Sequence, residues 1–412
     1  MAEQPGPPGA CRHEPRPVPV LHKRTGPVRG PPRHRRTGGA GGFAQERSVI
    51  IKASVTKGLG QGFVVEEVEL ADPIGHEVRV QVKASGLCHS DLSVATFIGG
   101  EFPVVLGHEV AGVVTGTGPE VTQVAVGDHV VGSLIQYCGA CVNCLGGRTY
   151  ICLRPESTLR TPGQAPRISW NGAPVAQGMG LGGFAQEALI HENQLAVVPD
   201  EMPWAPAALI GCGVLTGAGA VLRSADVRQG ESVVVIGAGG VGMNAVSGAR
   251  IAGAETIVVT DIEDGKLDRA KAFGATHVVN SRTTDPVEAV RAITGGGADH
   301  VFDFVGVRPV TAQGMRMLGK GGGLYLIGVG GNDAGVDVSA MAALSGSQKV
   351  QGVYMGSSNL KRDIPFYASM YLQGRMNLDA LVSKEIALDG IDAGYDSLKD
   401  GTTARVVITD FS

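Results

Sequence analysis

No stretch of this chain approaches the roughly 18 consecutive apolar residues that a membrane span needs, although 43% of it is hydrophobic and 18% charged. That composition is expected of a soluble globular protein and argues against a membrane protein. Positive charge is lacking from the body. Residues 1–47 carry a net +6, so the overall −4 leaves −10 for the remainder, which argues against a nucleic-acid-binding body. Cysteine is sparse as well: seven in 412 residues do not make a disulfide scaffold. Cys138, Cys141, Cys144 and Cys152 fall in one short stretch, Cys88 and Cys212 stand apart, and Cys11 lies near the start. Such clustering reads as metal binding in a reducing cytoplasm.

The basic first 47 residues are rich in Pro and Gly and lack periodic apolar positions. They cannot bury enough surface to repay their ordering entropy, so a disordered tail is expected. Their apolar run, residues 18–21, is too short for the core of a secretory signal, and they are too poor in serine for a transit peptide. The tail reads as an address or as a translated upstream stretch without a role. Export is not expected.

At this length two domains are expected. From Ser48 the texture is that of short strands and turns, and Val78, Val80, Val82 and Ala84 alternate with polar residues. Period two marks a strand with one wet face, and the region to about residue 190 reads as a mostly antiparallel, barrel-like domain. After about Gly213, apolar strands at 233–236, 256–260, 277–279, 301–305 and 324–327 are separated by helical stretches such as 243–252 and 266–273. That alternation implies a parallel sheet covered by helices. From about Tyr354 the texture is mixed, with a helix expected over 367–372 and a last strand over 405–408.

Gly237, Gly239 and Gly242 follow the strand at 233–236 and open a helix. The first glycine permits the tight turn, the second lets backbone amides approach a pyrophosphate, and the third permits close helix–strand packing. Gly178, Gly180 and Gly183 have the same spacing without a strand before them, and that copy is discarded. Asp261 ends the next strand, 24 residues after Gly237. An acid there hydrogen-bonds the adenosine ribose and repels a 2′-phosphate, favouring NAD over NADP.

Cys138, Cys141, Cys144 and Cys152 are separated by gaps of two, two and seven residues. Four thiolates so close can close a tetrahedral shell around a structural zinc; reduced core cysteines and an iron–sulfur cluster are the weaker readings. Cys88, His108 and Cys212 remain as scattered candidates. Two sulfurs and one imidazole leave an open fourth position, as a catalytic zinc requires. Taken singly, each is more often a packing residue.

With these motifs together, residues 48–412 resemble the zinc-containing medium-chain alcohol dehydrogenases. The match comprises the Cys-His-Ser-Asp motif at 88–91, the Gly-His-Glu motif at 107–109, the four-cysteine loop, Cys212, and the glycine motif with its acid. The resemblance implies an α/β fold: a GroES-like β-rich catalytic domain over 48–213 and 354–412, interrupted by a Rossmann domain, a doubly wound parallel sheet, over 214–353. It implies two zinc ions per chain, one held by Cys88, His108 and Cys212, with Asp91 orienting His108 and Glu109 behind the metal. Ser90 would take the proton from the alcohol. His89 and Arg405 would approach the cofactor pyrophosphate beside Gly237, Gly239, Gly240, Val241 and Gly242. Lys266 would assist Asp261 at the ribose, and Thr216, Val241 and Val329 would lie near the nicotinamide.

By the same resemblance Ser90, Leu134, Ile151, Ile327 and Val329 line a mostly apolar pocket for a primary alkyl or aryl alcohol, or the aldehyde in reverse. Where many family members have a histidine five residues after the first zinc cysteine, this chain has Ser93. A homodimer is expected, with a tetramer as the alternative. The runner-up activity is a thiol-dependent formaldehyde dehydrogenase, with Arg154 and Arg160 as candidates for binding the thiol's carboxylates. The non-enzyme alternative is a nucleotide-binding protein that has lost catalysis, against which the intact ligand set argues.

Overall fold

The computed structural model describes residues 48–330, 335–400 and 403–412, so the expected tail lies outside the described residues. The first strands close a barrel: Ser48–Thr56, Val64–Ala71, Ile168–Trp170, Ala173–Gln177 and Val104–Val105. Beside it a sheet runs in the order Leu195–Val197, His129–Gly132, Glu109–Thr117, Glu77–Gly86, Arg405–Asp410 and Val382–Ala387, with Glu187–His191 also paired to Glu77–Gly86. The alternating strand behaves as its pattern dictates. Val78, Val80, Val82 and Ala84 are all buried, while Gln81 is exposed.

Six strands make the parallel sheet, in the order His277–Asn280, Thr256–Asp261, Ser232–Ile236, Ala298–Asp303, Leu318–Leu326 and Lys349–Gly352. The strand expected at 301–305 instead ends at Asp303. There the backbone turns, because the Asp303 carboxylate accepts from the amides of Val305 and Gly306 at 2.8 and 3.0 Å. The edge strand Lys349–Gly352 escaped sequence reading: it is short and half polar, and it leaves Lys349 and Gly352 exposed. The helix expected at 367–372 begins a full two turns earlier, as Leu360–Leu372, with Leu360 and Ile364 buried.

The expectation that no run is long and apolar enough to cross a membrane needs correction. The helical run Trp204–Ala225 passes that test by length and composition. It is a core helix, nearly all of it buried, and its composition reflects packing on every side. Its glycines permit that packing: a side chain at Gly211 would collide with the Gly132 carbonyl, and one at Gly217 with the Val241 carbonyl. Between them the helix widens by one residue per turn over Ile210–Val214. A widened turn of this type often marks a functional position, and this one presents Cys212.

Candidate functional site

Cys88 sits where the strand Glu77–Gly86 has ended and the short helix His89–Ser93 begins, His108 just before the strand Glu109–Thr117, and Cys212 in the widened turn. Ligand atoms of Cys88, His108, Glu109 and Cys212 all lie within 4.8 Å of one another, and all four residues are buried. Asp91 fixes the imidazole: its Oδ2 lies 2.9 Å from His108 Nδ1, and its Oδ1 accepts from the Gly107 amide at 3.1 Å. His108 Nε2 has no hydrogen-bond partner, although the residue is fully buried. An unpartnered buried nitrogen is costly unless something else satisfies it. With two thiols beside it, the donor set fits a zinc ion with one position open.

A hydrogen bond with Cys212 lowers the Cys88 thiol well below its ordinary range, and the same contact, with burial, pushes Cys212 up. A Glu109 carboxylate oxygen lies within 4.8 Å of the cysteine and histidine ligand atoms. Burial pushes its carboxyl up to about 7 despite the opposing charge of Arg405, whose Nη2 is 3.8 Å from Oε1.

The four-cysteine loop satisfies a closed shell. A zinc with Zn–S of about 2.3 Å in tetrahedral geometry needs sulfurs about 3.8 Å apart. Cys141 and Cys144 are 3.4 Å apart, Cys141 and Cys152 3.9 Å, and Cys138 and Cys144 4.0 Å. Backbone amides of Cys138 and Arg154 donate to Cys152 Sγ at 3.2 and 3.3 Å. The Leu153 amide helps hold the Cys141 thiol down at about 6. That donor favours the thiolate at Cys141, the form a metal binds, while burial and its neighbouring thiols push Cys144 up to about 12.

The glycine motif divides its tasks as the sequence implied. Gly237 has φ +96°, a conformation that favours glycine, and a side chain there would press on Val305. Gly239 faces open space, where a phosphate can approach. A side chain at Gly242 would collide with the Gly237 carbonyl, so helix and strand pack backbone to backbone. Asp261 closes the turn: Oδ2 accepts from the Ala238 amide at 2.8 Å, and Oδ1 from Ile262 and Glu263 at 2.7 and 3.0 Å. The Arg405 guanidinium packs over Gly240 and Gly213, joining the glycine loop to the cysteine–histidine cluster. Burial, with the charges of Arg405 and Lys266, lowers the His89 imidazole below its ordinary value.

Thr216 Oγ1 donates to Met355 Sδ at 3.5 Å, and the neighbouring Gly217 abuts the carbonyl of Val241, so these two residues are brought to one helix crossing. Of the pocket residues, exposed Ser90 has its Oγ 3.7 Å from Cys88 Sγ, and Leu134 and Ile327 pack against the core that contains both ligand cysteines. Ile151 is 41% exposed on the four-cysteine lobe and Val329 is 92% exposed, so neither is drawn into that packing.

Two tyrosines escaped sequence reading. The Tyr395 hydroxyl donates to the Cys88 carbonyl at 3.1 Å. Burial raises the Tyr354 phenol, with the Cys212 charge adding to it. Neither stands in a motif; each reaches the site only through the fold.

Residues 75–200 match the alcohol dehydrogenase GroES-like domain, and residues 240–369 the zinc-binding dehydrogenase family. An S-(hydroxymethyl)glutathione dehydrogenase of Paracoccus denitrificans is 33% identical over 371 residues, covering 87% of this chain and 99% of the relative. The chain belongs to the zinc-containing medium-chain alcohol dehydrogenases. An NDMA-dependent alcohol dehydrogenase of Amycolatopsis methanolica, another relative, is 36% identical over 87% of this chain and 98% of its own length. Among solved structures, a benzyl alcohol dehydrogenase from Acinetobacter calcoaceticus superposes with a TM-score of 0.83 at 34% identity, over 88% of this chain and 99% of that one. As a zinc-containing alcohol dehydrogenase, the chain oxidises alcohols with zinc and NAD as cofactors.

The two thiol clusters predict opposite phenotypes. Cys141→Ser should lose the structural metal and fold poorly, because such a site contributes on the order of 10 kcal/mol. Cys212→Ser should fold normally, hold one zinc fewer and lose turnover. Metal analysis and thermal denaturation of both variants check this; one zinc per folded chain in the unmodified protein would overturn it.

Proposed function

We propose that this dehydrogenase oxidises a primary alkyl or aryl alcohol to the aldehyde, and the reverse, at Cys88, His108 and Cys212. The observation that carries the reading is the unpartnered, buried His108 Nε2 between two thiols, joined through Arg405 to the glycine loop. Bound zinc supplies Lewis acidity that makes an alcohol acidic near neutral pH, and bound NAD accepts the hydride. The chain's residues do the rest. Ser90 takes the hydroxyl proton, Asp91 keeps His108 in the tautomer that presents Nε2, and Glu109 with Arg405 balances charge behind the ligands. His89 and Arg405 hold the pyrophosphate over the helix Gly240–Ala252, while Asp261 and Lys266 hold the ribose. Thr216 and Val241 lie on the nicotinamide side, and Leu134 and Ile327 form the apolar wall.

The division into a catalytic domain over 48–213 and 354–412 and a nucleotide domain over 214–353 is supported by the last strand, Arg405–Asp410, which returns to pair with Glu77–Gly86. The six cysteines among the described residues are free and fall in two clusters that could hold a metal, which fits a reducing cytoplasm. A homodimer fits the open edge strand Lys349–Gly352 and the neighbouring helix Ala340–Gly346, where Met341 is 73% and Leu344 79% exposed.

A thiol adduct of formaldehyde is the second reading, favoured by the relatives named S-(hydroxymethyl)glutathione dehydrogenase. Of the arginines considered for its carboxylates, Arg160 is committed elsewhere and Arg154 is exposed. Arg160 donates to both carboxylate oxygens of buried Glu77 at 2.9 and 2.7 Å, and Arg154 lies 3.7 Å from Cys138 Sγ. Benzyl alcohol should therefore be oxidised without added thiol. Formaldehyde turnover that appears only when glutathione is present would favour the second reading.

Two further outcomes follow from named residues. The Asp261 carboxylate should impose a preference for NAD, and Asp261→Ser should narrow it; comparable kcat/KM for NAD and NADP in the unmodified enzyme contradicts this. Ser93 is not a base near pH 7, whereas a histidine there would have a pKa of about 6.5. Alcohol oxidation at neutral pH should accelerate with buffer concentration at fixed ionic strength. Ser93→His should weaken that dependence and raise the rate, by at most about 10²-fold. Initial rates across a buffer series decide it, and a flat response in both proteins would place proton release on another route.

A further inference from the structure

We infer that Tyr395 is a positioning residue for the catalytic centre: its hydroxyl fixes the Cys88 peptide and thereby aims both the Cys88 thiolate and Ser90. The inference rests on the reading of Cys88, His108 and Cys212 as zinc ligands.

Cys88 occupies a demanding place in the chain. The strand before it is tied down, since Ser85 and Gly86 pair with the last strand and the Leu87 amide donates to the Val406 carbonyl at 2.9 Å. At Cys88 the backbone leaves the sheet and starts the helix His89–Ser93 with no side-chain cap. The Cys88 carbonyl accepts from the amides of Asp91 and Leu92 at 3.1 and 3.4 Å, and from Tyr395 Oη at 3.1 Å. The first two bonds come from the helix itself and move with it. The third comes from a different part of the fold and references the peptide plane to an outside point.

That outside point is well anchored. Tyr395 lies on the helix Ile391–Ser397 and is 3% exposed. Its ring stacks on Phe63 with centroids 5.4 Å apart, and Phe63 meets Phe184 edge-on at 5.9 Å. Asp392 on the same helix accepts from the Phe63 amide at 3.2 Å, and a side chain at Gly394 would press on Leu87. The ring therefore has a packing role that a phenylalanine would preserve. The hydroxyl has a separate one: setting the turn from which Cys88 Sγ and Ser90 Oγ, 3.7 Å apart, emerge. Loss of a single buried hydrogen bond typically changes an equilibrium by about tenfold.

The test separates ring from hydroxyl. Tyr395→Phe is compared with Phe63→Leu, which disturbs the same aromatic stack but keeps the hydroxyl. Release of the catalytic zinc to a chelator should be about tenfold faster in Tyr395→Phe, with the structural zinc retained and the dissociation constant for NADH unchanged. With Co(II) at the catalytic site, the sulfur-to-metal charge-transfer bands of Tyr395→Phe should shift, and kcat should fall. Phe63→Leu should lower the melting temperature more than Tyr395→Phe does and change the bands and the release rate less. Unchanged bands and release in Tyr395→Phe would overturn the inference. So would loss of both zinc ions together, because it would make the hydroxyl a contact of the whole fold. If the unmodified enzyme holds no chelatable zinc or cobalt at Cys88, His108 and Cys212, the ligand assignment itself fails, a result distinct from either of these.

Discussion

Everything at this site depends on three side chains from distant points of the chain meeting in one buried place. His108 is fully buried and its Nε2 has no protein partner, an arrangement that would be costly if a cation did not complete it. The surrounding fold is organised around that demand. One strand end supplies Cys88, another strand's approach supplies His108, and a core helix widens by a residue to supply Cys212. The same helix must run through the centre of the protein, which explains an apolar run that passes the test for a membrane span while being buried.

The two thiol clusters show how one ligand chemistry serves two purposes. In the four-cysteine loop the sulfurs lie at tetrahedral separations and are fed by backbone amides, so the shell is complete and the metal can only hold the loop. At Cys88 and Cys212 an imidazole completes a three-cornered set, and Arg405 faces Glu109 at 3.8 Å beside it. Arg405 connects the halves of the reaction. It lies against Gly240 at the start of the helix Gly240–Ala252 and within 3.8 Å of Glu109, so one guanidinium joins the glycine loop to the cysteine–histidine cluster.

Much of this was legible because short motifs carry local geometry. The strand before Gly237, the glycine spacing and the acid at Asp261 each follow from neighbours in sequence, and their hydrogen bonds form within a few residues or across one strand. The four cysteines were legible for the same reason. Cys88, His108 and Cys212 acquired meaning only through resemblance, since nothing near each one announces the other two. Tyr395 and Tyr354 were illegible: a tyrosine hydroxyl that reaches a carbonyl 307 positions away leaves no trace in either neighbourhood. Arg160 was misleading in the opposite sense, an arginine in a long loop that is consumed by buried Glu77. The bend at Asp303 shows that a run of apolar residues alone does not set where a strand stops.

The central claim is that two metal ions with different donor sets occupy these clusters. Anomalous diffraction at the zinc absorption edge, from crystals of the full chain grown with NAD, tests it most directly. The account predicts one peak about 2.3 Å from four sulfurs of the loop, and a second about 2.3 Å from Cys88 and Cys212 Sγ and about 2.0 Å from His108 Nε2. A single peak, or a second peak away from His108, would contradict it.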